Sequence, residues 1–378
     1  MPMKPYRPSY PLSRRKFLGC LGAGVAGCVL ADTLAGAAPV GDELHEASFY
    51  EPLAGGKVRC KLCPRGCTVS DKQRGYCRVR ENRGGRYYSL VYGRPCALHT
   101  DPIEKKPFFH VYPGSKAFSI ATVGCDMACK FCQNWDISQA SPEDVKPSYQ
   151  SPEEITAAAR KSGARTIAYT YTEPVVFAEY VHDCAAAGRK AGIESVMVSN
   201  GFITNEALKS LLPVLKAVKI DLKSFTQSFY ADICEGQLQP VLDTLKRLSD
   251  SGVWYEIVVL LIPTLNDSTD EIKRMAAWIV KDLGPDVPLH FSRYHPMYKI
   301  KNIPPTPSDT LRRARQIAVA EGCRFVYIGN VPGEEAQNTV CPYCQAMLIR
   351  RYEYRILENN IVKGACKACG KTIAGVWE

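Results

Sequence analysis

The chain has 378 residues, 23% of them charged and 46% hydrophobic, which allows a large buried core, about two to three domains by length, and excludes a wholly disordered polymer. Its formal charge is +10, but the first 37 residues carry five basic groups and one acid, so the remainder is only mildly basic, a weak case for a nucleic-acid partner. Seventeen cysteines in a chain this long, eleven of them in three tight groups, argue against a disulfide scaffold and for metal ligation.

Residues 1–37 read as a leader. Ser13-Arg14-Arg15-Lys16-Phe17-Leu18 precedes an apolar, Gly/Ala-rich stretch, and Ala35-Gly36-Ala37 supplies small residues for cleavage. This layout is that of a twin-arginine export signal, and the stretch is too short and Gly-rich for a confident membrane span. The expectation is export to the periplasm; the alternative is a cytoplasmic enzyme.

Residues 50–115 lack a helical period and are rich in Gly, Arg, Cys and Tyr, predicting a small module of short strands and loops. Cys60, Cys63, Cys67 and Cys77 have ligand spacing, and thiolate sets of this kind hold either zinc or an iron–sulfur cluster. Residues 116–335 change character. Short apolar runs at 118–123, 166–171, 195–198, 218–222, 255–262, 289–294 and 325–328 alternate with helical stretches at 152–161, 175–190, 205–215, 240–251, 269–281 and 308–321. Such alternation predicts an α/β barrel of parallel strands, open or closed, with its chemistry at the carboxyl ends of the strands.

Cys125-x3-Cys129-x2-Cys132 follows the first of these strands. Three thiolates hold three corners of a [4Fe–4S] cluster and leave one iron open to a cofactor or substrate. With Phe131 before Cys132, the pattern resembles that of the radical S-adenosylmethionine (radical SAM) superfamily. The resemblance implies a partial (β/α)6-type barrel, S-adenosylmethionine chelated to the open iron, and a 5′-deoxyadenosyl radical released on reduction by a low-potential electron donor. It also implies that Phe131 lies near the adenine. Glu173, after the second strand, stands where the family binds the methionine ammonium, although Thr170-Tyr171-Thr172 replaces the usual glycines. Ser199, Asn200 and Asp221 resemble cofactor-contacting positions of glycyl-radical activating enzymes, while Val198 replaces an acid often found there. Asn266 is a further candidate cofactor contact, or simple Asn-Asp turn chemistry, and His295 a candidate substrate-facing side chain.

Residues 336–378 end the chain with Cys341-x2-Cys344 and Cys366-x2-Cys369, 21 residues apart, a zinc-ribbon or rubredoxin-like pattern expected to hold zinc. Taken with Asp101-Pro-Ile-Glu104-Lys105-Lys106-Pro107, Cys132-Gln133-Asn134-Trp135 and Tyr327-Ile-Gly-Asn330, the ordered motifs are similar to the AmmeMemoRadiSam-system radical SAM enzymes, relatives of pyruvate formate-lyase activating enzymes. That resemblance implies companion proteins of the same system. The leading expectation is hydrogen abstraction from an unidentified substrate, either a small molecule or, as in a glycyl-radical activator, a protein backbone glycine. A rival of another class is a metal-stapled RNA-binding module built on Arg350, Arg351, Arg355, Tyr352 and Tyr354.

Overall fold

A computed structural model describes residues 44–378; the twin-arginine-like leader lies outside the described residues. One eight-stranded sheet organises the chain. Its strands are β1 (Ala97–Pro102), β2 (Lys116–Ala121), β3 (Thr166–Tyr169), β4 (Glu194–Ser199), β5 (Ala217–Asp221), β6 (Trp254–Leu261), β7 (Leu289–Arg293) and β8 (Val326–Gly329). They are ordered sequentially from β1 to β8, parallel from β2 onward, with β1 antiparallel to β2. The two edge strands do not pair, so the sheet is open.

All seven apolar runs of the barrel region are parallel strands, and they are nearly continuous hydrophobic segments because helices cover one face and the interior the other. β1 departs from the expectation that residues up to 115 belong to the Cys-rich module. The chain reverses after it and pairs Ala97 with Ala121 through to Pro102 with Lys116. Pro102 is tolerated because it ends an edge strand.

The covering helices are α1 (Pro152–Lys161), α2 (Ala178–Lys190), α3 (Asn205–Leu211), α4 (Leu238–Ser251), α5 (Thr269–Trp278) and α6 (Ser308–Ala320). α1 begins with a capping box, Ser151 and Glu154 satisfying each other's backbone amides, with Pro152 in the first turn and Arg160 and Lys161 in the last. α3 is shorter than its apolar period because Pro213 lacks an amide hydrogen, and residues Leu212–Val214 tighten into a 3-10 turn.

Before the sheet, two small three-stranded sheets pair His45–Glu46 with Arg86–Ser89 and Arg80–Arg83, and Tyr50–Leu53 with Lys57–Cys60 and Thr68–Val69. This region docks through polar contacts. Buried Arg80 pairs with buried Glu179 of α2, the Ser48 amide donates to the same carboxylate at 2.9 Å, and Thr204 Oγ1 donates to the Lys61 carbonyl at 2.8 Å.

The opposite end of the sheet is closed by residues 107–112 and the carboxyl-terminal hairpins. Glu256 on β6 is fully buried there. It accepts hydrogen bonds from the amides of Phe109 and His110 and from His290 Nε2 at 2.7 Å, and it faces Lys219 Nζ at 3.5 Å. Burial alone would raise the Glu256 carboxyl, but the Lys219 charge and the His290 bond hold it below the usual carboxylate range. Burial pushes His290 down to about 3 and His110 down to about 4, so both are neutral at pH 7.

Candidate active site

The carboxyl ends of β2 to β8 surround a cavity of about 560 Å³, within the range for a small-molecule site. The turn after β2 contributes the three cysteines. Gly124 opens that turn with φ +97°, and a Cβ there would stand 2.6 Å from Val79 Cγ1 and 2.8 Å from the Cys77 carbonyl oxygen, so only glycine fits. Cys125, Cys129 and Cys132 then line one wall. The Met127 amide lies 3.4 Å from Cys125 Sγ and Ser138 Oγ 3.3 Å from Cys132 Sγ, donors suited to thiolate sulfur. Two backbone bonds fix the loop from behind: Ala128 N–H to the Cys234 carbonyl and Lys130 N–H to the Ile233 carbonyl.

Of the site residues named from sequence, Phe131, Glu173, Ser199, Asn200 and Asp221 line this same cavity with the cysteines. Glu173 is 2% exposed. Its Oε1 accepts from Ser199 Oγ at 2.7 Å and its Oε2 from the Asn200 amide at 2.8 Å, tying the end of β3 to the end of β4. Burial, with the nearby Asp126 carboxylate adding to it, pushes the Glu173 carboxyl up to about 8. A cation placed beside it would restore the charged form.

Two expected site residues stand elsewhere. Asn266 is buried but does not line the cavity: its Nδ2 donates to the Lys223 and Leu260 carbonyls and its Oδ1 accepts from the Ile262 amide. It fastens the ends of β5 and β6. His295 is exposed on the loop after β7 and outside the cavity lining.

Other side chains at or beside the site were not named from sequence. Asp126, 1% exposed, accepts from Asn200 Nδ2 at 2.8 Å, linking the cysteine turn to β4. Lys105 and Lys106 reach the cavity from the segment after β1, each paired with Asp101 at 2.8 and 2.6 Å. Tyr171, held at φ +67°, donates its hydroxyl to Asp101 Oδ2 at 2.6 Å. The Asp-Pro-Ile-Glu-Lys-Lys motif was the available signal for the lysines. Tyr354, from the turn of a carboxyl-terminal hairpin more than 200 residues away, completes the far wall with Ser292 and Asn330. Nothing in its local sequence points there.

The carboxyl-terminal cysteines form a separate centre. Cys341 and Cys369 Sγ stand 3.8 Å apart, as do Cys344 and Cys366 Sγ, and all four lie within 4.8 Å of one another. That is the edge of a sulfur tetrahedron around one ion at about 2.3 Å, and too long for a disulfide. Amides of Cys369 and Ala368 pull the Cys366 thiol down to about 7.

The same segment packs Leu348, Ile349 and Ile373 against Phe109, Phe325 and Tyr327, and Arg351 donates to the Phe109 carbonyl at 2.8 Å. Removing a metal held by these four cysteines should therefore loosen the closed end of the sheet. Treatment with a strong chelator is expected to lower the melting temperature by roughly 5–10 °C, corresponding to a few kcal/mol. An unchanged melting curve after metal loss, verified by elemental analysis, would show that the site contributes no stability.

A family model of the radical SAM superfamily matches residues 119–279. The uncharacterized protein MJ0808 of Methanocaldococcus jannaschii is 44% identical over 332 residues, covering 87% of this chain and 99% of that protein. The pyruvate formate-lyase 1-activating enzyme of Escherichia coli is 23% identical over 220 residues, covering 54% of this chain and 89% of that enzyme. Among solved structures, a domain of the pyruvate-formate lyase-activating enzyme from Bacteroides vulgatus aligns at 19% identity with a TM-score of 0.39, covering 43% of this chain and 98% of that one.

Proposed function

We propose, from the premise that this chain belongs to the radical SAM superfamily and is an enzyme, that it abstracts a hydrogen atom from a substrate held in the cavity at the carboxyl ends of the strands. One observation carries the reading: three cysteines without a fourth cysteine share one cavity wall with a buried carboxylate and polar strand-end side chains. The donor set fits a [4Fe–4S] cluster with one open iron. Such a cluster with S-adenosylmethionine would supply one-electron reductive cleavage, the chemistry that yields a 5′-deoxyadenosyl radical.

The chain's own residues then divide the work. Cys125, Cys129 and Cys132 would hold three corners, with the Met127 amide and Ser138 hydroxyl bonded to sulfur. Glu173 would accept the methionine ammonium, a charge-assisted bond in a dry site. Ser199, Asn200 and Asp221 would bind the polar remainder of the cofactor and Phe131 the adenine face. Lys105, Lys106, Ser292, Asn330 and Tyr354 line the rest of the wall and would face the substrate. Similarity to an activating enzyme supports a second reading, in which the substrate is a backbone glycine of a partner protein. The AmmeMemoRadiSam-like motif order supports companion proteins of that system, and the carboxyl-terminal tetrahedron supports zinc. The leader supports export, which amino-terminal sequencing of the mature protein would check.

Anaerobic incubation of the iron-loaded chain with S-adenosylmethionine and a strong reductant should yield 5′-deoxyadenosine. Its absence from fully loaded, folded protein would refute the reading. Glu173→Gln should weaken S-adenosylmethionine binding by about ten- to a hundredfold, the worth of a hydrogen bond to a charged group. Equilibrium dialysis measures it, and an unchanged Kd would remove Glu173 from the cofactor site.

A further inference from the structure

We infer that Cys60, Cys63, Cys67 and Cys77 hold a second iron–sulfur cluster, rather than a single zinc ion, directly against the turn that carries Cys125. The chain supplies its own standard for a single-ion site. The carboxyl-terminal four sulfurs are, among the described residues, the only group of three or more ligand atoms all within 4.8 Å of one another. The amino-terminal four gather without meeting that spacing. The Cys60 amide bonds the Cys67 carbonyl at 2.9 Å, and a Cβ built on Gly75 would stand 3.9 Å from both Cys67 and Cys77 Sγ. None of the four is in a disulfide, and three are buried. Sulfurs that interact with one another but do not all fall within the edges of one tetrahedron suit a cluster, whose thiolates bind different irons.

Two buried donors point to the same occupant. Tyr87 is fully buried and its hydroxyl has no hydrogen-bond partner. That oxygen lies 2.6 Å from the position a Gly75 Cβ would take, and the Cys67 and Cys77 Sγ atoms lie 3.9 Å from the same point. Arg80, also fully buried, uses Nε on the Val176 carbonyl and Nη2 on Glu179, while Nη1 has no partner. Its guanidinium interacts electrostatically with Cys60 and Cys77. A buried unpaired donor costs about 1–3 kcal/mol, and two around one set of thiols are accounted for by sulfur acceptors. Glu179 balances the Arg80 charge, so what Arg80 offers a sulfur is the free Nη1 donor.

The two centres are neighbours through Gly124, which packs against the Cys77 carbonyl and immediately precedes Cys125. Asp126, next to Cys125 in the turn, is within electrostatic range of Cys63 and Cys77 as well as Cys125.

The test is an anaerobic count of iron, acid-labile sulfide and zinc in the full chain carrying Cys125→Ala, Cys129→Ala and Cys132→Ala. The expected result is roughly two to four irons with matching sulfide, and about one zinc. Protein without iron or sulfide, carrying about two zinc ions, would overturn the proposal. It stands apart from the proposed activity, since this variant has lost the open cluster in any case. Should that variant not fold, the wild-type chain serves: its reduced EPR spectrum should show two clusters with mutual broadening, and a single unbroadened cluster with a second zinc would overturn the proposal. In addition, Tyr87→Phe should shift the second cluster's reduction potential to lower values, because hydrogen bonds to sulfur raise it. A purely structural tyrosine would leave the potential unchanged, and that result would remove Tyr87 from the site.

Discussion

Replacing any one of Cys125, Cys129 and Cys132 with Ala is expected to abolish 5′-deoxyadenosine formation, a loss of at least about a thousandfold, while the chain stays folded. The reason lies in ligand count. The site offers three cysteines, and Cys234, buried and hydrogen-bonded to Cys129, does not line the cavity. The loop itself does not depend on the cluster for its path. Gly124, the Ala128 and Lys130 amides, and the Asn200–Asp126 bond fix it from the protein side. Melting temperature should therefore change by only a few degrees, corresponding to roughly 1–2 kcal/mol. Product assay, iron content and a thermal melt together check the claim. Cleavage persisting undiminished in the triple variant would refute the assignment of these cysteines to the reactive cluster.

The largest expected effect on stability lies at the other end of the strands. Glu256→Ala should destabilise the protein by about 3–5 kcal/mol, because it leaves Lys219 buried without a counter-charge. It also orphans the Phe109 and His110 amides. Lys219 has a remaining acceptor in the Pro107 carbonyl, which is too little for a buried ammonium. Adding Lys219→Met to the Glu256→Ala chain should recover part of the loss, since it removes the uncompensated charge but not the orphaned amides. Denaturant melts of the two variants measure this. A loss below about 1 kcal/mol for Glu256→Ala would show that water or rearrangement satisfies the site. The same network seats residues 107–112, next to Lys105 and Lys106 in the cavity wall, so severe loosening here should also weaken the site.

Much of this architecture was legible locally. The cysteine triplet is a contiguous motif whose spacing places three thiolates on one turn, and Glu173 sits at a strand end that the apolar runs delimit. The helices were equally readable where caps and periodicity agreed, as at Ser151 and Pro152. Legibility failed where a side chain's partner is distant. Asn266 was readable as a turn residue, but its bonds to the Lys223 and Leu260 carbonyls decide that it fastens strands instead of facing a ligand. His295 lies close in sequence to a strand end, yet the chain has already left the cavity by then.

By itself, the sequence determined the α/β alternation, the three cysteine groups and the family, because hydrophobic period and ligand spacing are properties of short segments. Only the tertiary structure decided which of those segments share a site. It brought Tyr354 and Lys106 to one cavity, made β1 an edge strand, and set Tyr87 and Arg80 beside the amino-terminal thiols. Those outcomes depend on how separate segments pack, from adjacent strands to residues hundreds of positions apart, which a local motif does not specify.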